Sequence, residues 1–510
     1  MFKTTLGCAL VEIRPASVHP LIALLAASLA CLFAGASCAD VGSLRSIVHD
    51  GGTGGAGEKD SAVSSPIPAT DAAPVDASSE GIPQDVGQPD IVDAAAASTG
   101  SAYLTVSADT QVTGRVTLLS APLLLGASDS VLVHSDGRYY PSGASVTASV
   151  HAEIDGVVVT NHAVIDWRAS NNPQQHSFNV IGAATLGPGD HTVALVAEAI
   201  AGTFYVGAGS NLSVMVHPAR DVVASSLASD STEFAFTTNG VTPGTPAPHT
   251  PLLTYATTFQ NEDTVALASA RAYYGSGYGD AMLGLYLDGA NPGNAASSWT
   301  VNDIWTGAET QAPLSCHAFF RSLDGAHTLS FDASEFPWGQ QGEDTVKYKV
   351  GAGARAVFLR GDMVVRGSAS QSSVVDNTID YVGIGTSQNW PGVPSVGTDV
   401  RLVDAFFDVP VGHSGVIFFA AKTRVQGDSS DVGGTARLWI AIDGARVGAT
   451  GVQQLASPDS ISQRTVSASY LSAGAGALPP GKHHVEVFGR ADGSFIHLAM
   501  NKDLPLIWFD

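Results

Sequence analysis

Three aspartate–histidine pairs recur at near-constant spacing, and they are the residues of this chain best suited to chemistry. Asp155 precedes His191, Asp288 precedes His327, and Asp443 precedes His483, at separations of 36, 39 and 40 residues. The histidines could ligate a metal ion, and the aspartates could act as acids. Each member, however, has a context that already accounts for it. The aspartates open Asp-Gly turns (Asp155-Gly156, Asp288-Gly289, Asp443-Gly444) after alternating apolar residues. That is a hairpin signal, because both turn positions need positive φ. The histidines each begin a strand after a second turn: Leu186-Gly187-Pro188-Gly189, Leu323-Asp324-Gly325 and Leu478-Pro479-Pro480-Gly481. A metal site needs converging ligands, and no further ligand recurs at fixed spacing. We therefore read the aspartates as turn residues and the histidines as caps on backbone groups or covers for a sheet edge. The adjacent His483 and His484 face opposite ways on a strand and make a poor chelate.

The remaining reactive types are sparse. Cys316 beside His317 could suggest a thiol nucleophile, but neighbours on a strand point to opposite faces. The apolar context of Cys316 fits a buried small hydrophobe. The acidic loops Gly427-Asp428-Ser429-Ser430-Asp431 and Asp376-Asn377-Thr378-Ile379-Asp380 offer oxygens of the kind Ca²⁺ takes, without a complete ligand set. No cofactor is expected, and Ca²⁺ is the metal those loops would suit. The sequence contains no Gly-x-Ser-x-Gly elbow, no His-Glu-x-x-His, no P-loop and no dinucleotide fingerprint. Aromatic side chains remain. Tyr139 and Tyr140, Tyr273 and Tyr274 with Tyr278, and Trp299 with Trp305 lie in Gly/Ser/Asn-rich surroundings. Exposed rings on a β-sandwich suit the apolar face of a carbohydrate. The competing reading is core or cross-strand packing. Trp439 and Trp508 fall in apolar strands and read as core.

The elements that must position these residues are strands and turns. The paired-turn cassette occurs three times at separations above a hundred residues, which means tandem domains and not a solenoid. After each second turn the apolar residues alternate, as in Val193 and Leu195 or Val485 and Val487. No amphipathic helical period stands out after residue 100. The expected fold is all-β, with three tandem β-sandwich or jelly-roll modules over 101–218, 219–365 and 366–510. In the last module, Phe406-Phe407-Asp408-Val409-Pro410-Val411-Gly412-His413-Ser414-Gly415-Val416-Ile417-Phe418-Phe419 and the turn at 478–481 resemble the jelly rolls of tumour necrosis factors and complement heads. That resemblance covers one module. It implies a jelly roll of a kind that assembles as trimers, and no ligand residues carry over.

The N-terminal hundred residues have a different composition. Lys3 and Arg14 precede an apolar run from Leu21 to Phe33, followed by small residues and Cys38, as in a secretory signal. Gly35-Ala36-Ser37-Cys38 resembles a bacterial lipobox, with Gly35 where leucine is usual. The resemblance implies lipidation at Cys38, a signal peptide over 1–38 and a membrane partner through acyl chains. Residues 39–100 hold ten acids against two bases, Arg45 and Lys59, and few large apolar residues. This is the composition of a disordered acidic linker, with a span of roughly 45 Å. The net charge of −23 argues against nucleic acid as a partner. Four cysteines, three of them at or before position 38, exclude a disulfide framework and a cysteine-based zinc site within the chain. The expectation is a lipid-anchored protein of the bacterial envelope, at the outer membrane or cell surface. It would bind a surface glycan or an envelope protein, or serve as a structural spacer. The alternative from another class is an extracellular hydrolase acting on a polymer.

Overall fold

A computed structural model describes residues 100–143, 145–167, 175–217, 222–226, 232–236, 249–276, 280–290, 297–301, 311–336, 346–350, 353–360, 382–384, 397–412, 415–427, 434–455, 463–493, 496–500 and 506–508. The signal segment, Cys38, the linker, Tyr278, Trp305 and the 376–380 and 428–431 acidic residues lie outside them. The described residues are almost all strand, paired antiparallel, with a 3-10 turn at Gly474–Gly476 and no α-helix among them.

Strand pairing stays within three stretches of chain. In the first, a six-stranded sheet is built on Asp129–Pro141, which pairs with Asn211–His217, Phe204–Val206 and His176–Leu186. A five-stranded sheet centres on Gly189–Ala201, between Arg115–Leu125 and Val146–Ile154. Val131, Val133 and Phe178 of one sheet share a core with Ala148, Val150 and Leu195 of the other. The alternation of buried and exposed residues along Arg115–Leu125 is what a sheet with one wet face requires.

The second stretch forms one eight-stranded sheet. Its backbone is a pair of very long strands, Thr250–Ser276 and Gln311–Phe336. Register shifts between Gln260 and Thr264, with positive φ at Asn261 and Ser322, break the pairing at mid-length. Such bulges bend a strand and increase its twist. Leu253 and Phe259 before the break and Ala266 and Ala268 after it thereby reach the same apolar cluster. The third stretch returns to two sheets. Ile417–Gly427 pairs with Gln463–Ser472 in one, and Gly481–Gly493 lies between Val400–Val409 and Gly434–Ile442 in the other. Phe407, Phe419, Leu438 and Val487 fill the space between them.

The three stretches do not stand apart, and residues 91–510 form one compact unit. Leu132, Ile181 and Met215 of the first meet Val265, Leu267, Val357 and Leu359 of the second and Phe418, Ala420 and Leu471 of the third in a further apolar cluster. Central strands of all three modules are therefore buried on both faces. Trp439 is buried, as its apolar strand implies, and it sits on the outer face of its sheet, stacked on Phe488 (ring centroids 5.8 Å apart) with the Arg446 guanidinium 5.0 Å from its ring. Leu438 and Ile440 fill the inter-sheet core instead. Trp508 lies in Leu506–Trp508, opposite Ile417, and its side chain is outside the described residues.

Candidate functional site

The three Asp-Gly turns are two-residue hairpins of one geometry. Asp155, Asp288 and Asp443 have φ of 51°, 50° and 51°, and their glycines 78°, 77° and 78°. Glycine removes the steric cost of the second position and aspartate tolerates the first. Behind each turn, the aspartate and histidine are bonded to one another. Nδ1 of His191, His327 and His483 lies 2.7 Å from Oδ2 of Asp155, Asp288 and Asp443. Nε2 of the same rings lies 3.0, 2.9 and 2.8 Å from the carbonyl oxygens of Gly187, Asp324 and Pro479. The other carboxylate oxygen accepts the backbone N–H that follows each histidine, from Thr192, Thr328 and His484, at 2.8 Å. The aspartate N–H donates back to the carbonyl of that same residue. Each clasp thus closes the end of a ladder whose terminal groups would otherwise be unpaired.

The clasp fixes the charge of its histidine. Both ring nitrogens face acceptors, so both must carry hydrogen, and the ring is an imidazolium. The hydrogen bond to Asp155, then that to the Gly187 carbonyl, raises the His191 pKa above the ordinary value. The bond to Asp288 does the same for His327. At His483 burial opposes the shift, and the bonds to Asp443 and the Pro479 carbonyl outweigh it. The aspartates move the other way. His191 and the Thr192 N–H lower Asp155, and His327 and the Thr328 N–H lower Asp288. At Asp443 burial works against the His484 N–H and His483, and the net direction is down. Both ring nitrogens of each histidine and both oxygens of each aspartate are thus engaged within the clasp. The clasp caps backbone groups, in keeping with the strand-start position of the histidines.

A surface of different character lies on the six-stranded sheet of the first module. Gln111, Tyr205 and Tyr140 sit opposite one another on three adjacent strands. The rings of Tyr140 and Tyr205 stack with centroids 5.0 Å apart and 13° between planes, and both are half-buried. Tyr140 donates its hydroxyl to Asp109 Oδ2 at 2.6 Å. Asp109 Oδ1 accepts from Arg138 Nη2 at 3.1 Å and from the Ala208 N–H at 2.7 Å. Arg138 Nη1 donates to Gln175 Oε1 at 3.0 Å. Burial and the Asp109 carboxylate both raise the Tyr140 phenol, so it stays protonated and a donor. Burial acts against it, but the bonds from Tyr140, Ala208 and Arg138 lower Asp109. The result is an aromatic pair framed by an acid, a guanidinium and two amides, partly open to solvent.

The other aromatic candidates fare differently. Tyr139 is fully buried and stacks on His176 and Phe178 at 5.5 and 6.3 Å, so it is a core residue and offers no ring to a ligand. Adjacent strand residues alternate faces, and Tyr140 takes the outer one. Tyr273 and Tyr274 lie near the end of Thr250–Ser276, and Trp299 lies in Ser297–Val301 opposite Met282. Their side chains are outside the described residues, as is all of Trp305. Sequence reasoning missed Tyr205, Asp109 and Arg138. The one signal was the alternation in Phe204-Tyr205-Val206, which puts Tyr205 on the face opposite Phe204. Cys316 is fully buried, and burial pushes its thiol up to about 12 against the opposing charge of Lys422. A thiol held protonated out of water is not a nucleophile. Among the described residues, no group of three or more His, Cys, Asp or Glu side chains could hold a metal ion.

No family model and no curated protein matches the chain. Among solved structures, it is similar to that of the infectious bursal disease virus Gt strain, at 12% identity over 81% of this chain and 83% of that one, with a TM-score of 0.21. It is also similar to the N-terminal CBM22-1-CBM22-2 tandem domain of Xyn10C from Paenibacillus barcinonensis, at 12% identity over 51% of this chain and 98% of that one, TM-score 0.14. Dimeric latent PorU from Porphyromonas gingivalis matches at 10% identity over 74% of this chain and 33% of that one, TM-score 0.17. Likenesses this low carry no argument about ligand or activity.

Proposed function

We propose that this chain is a non-catalytic binding protein of the bacterial envelope, anchored by a lipid on Cys38, that takes a glycan on the outer face of the first module. The observation that supports the reading is the stacked, half-buried Tyr140–Tyr205 pair within hydrogen-bonding groups. Sugar C–H faces pack on aromatic rings while ring hydroxyls need donors and acceptors beside them. Asp109, Arg138, Gln175 and Gln111 supply both. A screen of the full chain against a polysaccharide panel tests it. Binding that falls on Tyr140→Ala and on Tyr205→Ala is expected, and no binding across the panel sinks the glycan reading. Labelling with a radioactive or clickable fatty acid tests the anchor. Wild type should label and Cys38→Ala should not; equal labelling of both would remove the anchor from the proposal.

A second reading, a rigid envelope spacer, is favoured by one feature. The apolar cluster joining all three modules makes a single stiff body. A spacer needs that stiffness and has no use for the tyrosine pair.

A further inference from the structure

The junction where the three modules meet holds polar groups beside its apolar cluster. Lys422 of the third module is almost fully buried there, and its Nζ donates to the Cys316 carbonyl of the second at 3.4 Å. The first and third modules also exchange hydrogen bonds along a short run of main chain. The ladder between Asp129–Pro141 and His176–Leu186 ends at His176, opposite Tyr139. Gln175 lies one residue beyond it, and both of its main-chain groups go to Gln454 of the third module. Its N–H donates to Gln454 Oε1 at 3.2 Å, and its carbonyl accepts the Gln454 N–H at 2.6 Å. Gln453 holds the next two residues. Its Oε1 accepts the Ser177 N–H at 3.2 Å, and its Nε2 lies 3.1 Å from His176 Nδ1 and 2.9 Å from the Gln454 carbonyl oxygen. Main chain past the end of a ladder needs partners from elsewhere. For Gln175 they come from another module.

The side chain of Gln175 carries this anchorage into the tyrosine surface. Its Oε1 accepts from Arg138 Nη1 at 3.0 Å. Nη2 of the same guanidinium donates to Asp109, which also takes the Tyr140 hydroxyl. The stem of Arg138 lies against Gly207, where any Cβ would collide with its Nε, Cγ and Cδ. Arg138 thus has three supports. Asp109 and Gly207 belong wholly to the first module, whereas Gln175 is itself held by the third. A guanidinium presents its N–H groups as a rigid planar fork, so its angle matters to a ligand as much as its place.

Taking the tyrosine pair as the glycan surface, we propose that Gln454 of the third module is a positioning residue for it. Through Gln175 it sets the Arg138 guanidinium, so the surface of the first module is complete only with the third module docked. Gln454 touches no ligand in this scheme. Its loss frees the main chain of Gln175, and Arg138 then keeps Asp109 as its one fixed hydrogen-bond partner of the two.

The test uses the full chain as wild type, Gln454→Ala and Gln454→Glu, the last of which keeps an acceptor for the Gln175 N–H. Each is treated with phenylglyoxal, which modifies guanidinium groups, and labelling at Arg138 is read by peptide mass spectrometry. Arg115, bonded to Glu153 on the other sheet of the first module, is the internal reference. Labelling of Arg138 should be faster by about three- to ten-fold in Gln454→Ala, the scale of one lost hydrogen bond. Arg115 should not change, and Gln454→Glu should label like wild type. The same proteins are run by affinity electrophoresis in xylan, mixed-linkage β-glucan and alginate. A polymer that retards wild type should retard Gln454→Ala less and Gln454→Glu to the wild-type extent. The proposal is overturned if Arg138 labels alike in Gln454→Ala and wild type, if Arg115 rises with it, or if Gln454→Glu behaves as Gln454→Ala. It is also overturned if Gln454→Ala is retarded as strongly as wild type, a result that leaves the glycan reading standing. Expected labelling with no retardation by any polymer supports the placement of Arg138 by Gln454 and counts against the glycan reading. Should Gln454→Ala not fold, Gln454→Met, which keeps the bulk without the carbonyl, takes its place with the same outcomes.

Discussion

The clasps and the junction use the same residue types, an aspartate beside a histidine, in opposite ways. At the ends of the ladders the histidine is a cation with both nitrogens donating, near water, and its aspartate is satisfied at both oxygens. In the junction His134 lies 3.9 Å from Asp136, is neutral and accepts from an amide, and the carboxylate keeps one oxygen without a bond from the described residues. The difference comes from surroundings. Acceptors on both sides make an imidazolium, whereas enclosure among Leu132, Phe418 and Met215 makes a neutral ring. The clasp recurs because it closes a local turn that each module has. The junction is single because it depends on three modules at once.

The comparison can be broken first where the largest effect is expected. Phe418 is fully buried in the junction and packs edge-on against His134 at 4.9 Å. Phe418→Ala should cost about 3–5 kcal/mol in denaturant unfolding, as large core truncations do. His483→Ala removes only one clasp and should cost about 1–2 kcal/mol by the same measurement, the scale of a hydrogen bond to a charged group. If the clasp variant proves the more costly, the ranking of the two regions is wrong.

The two regions should also answer alkali in opposite directions. The clasp histidines have raised pKa values, so their contribution is full below about 6.5 and is lost as pH rises through the raised folded values. Their aspartates have lowered values, so that side of the contribution is present above about 3.9 and lost as pH falls through the lowered folded values. Lys422 falls from 10.5 to about 8, so the unfolded chain binds more protons across that window and the Lys422 contribution to stability rises with pH there. Unfolding midpoints against pH should show an alkaline decline that is weaker in a triple His191→Ala, His327→Ala, His483→Ala variant. In Lys422→Met the decline should be steeper between about 8 and 10.5.

Much of this arrangement was legible in the sequence. Asp-Gly after alternating apolar residues marked the hairpins with both positive φ values, and the strand-start histidines proved to be caps. The bond between Asp155 and His191 was not legible, because 36 residues of intervening chain say nothing about which ladder ends adjoin. The tandem reading leaves open whether the modules pack together, and the sequence does carry a trace of their fusion. Val131-Leu132-Val133, Val265-Ala266-Leu267-Ala268 and Ile417-Phe418-Phe419-Ala420-Ala421 are continuous apolar runs, which signify strands buried on both faces. The adjacent Tyr139 and Tyr140 had to face opposite ways, and only the pairing of Tyr140 with Tyr205 shows which of them is open to solvent.

The central claim is that repetition marks scaffold and that the unrepeated Tyr140–Tyr205 surface marks function. The most direct measurement pairs glycan binding with unfolding stability in two sets of variants, Tyr140→Ala and Tyr205→Ala against His191→Ala and His483→Ala. The account predicts that the tyrosine variants lose binding and stay folded, while the histidine variants lose stability and still bind. Folded histidine variants that no longer bind would contradict it, because the clasps would then be the site.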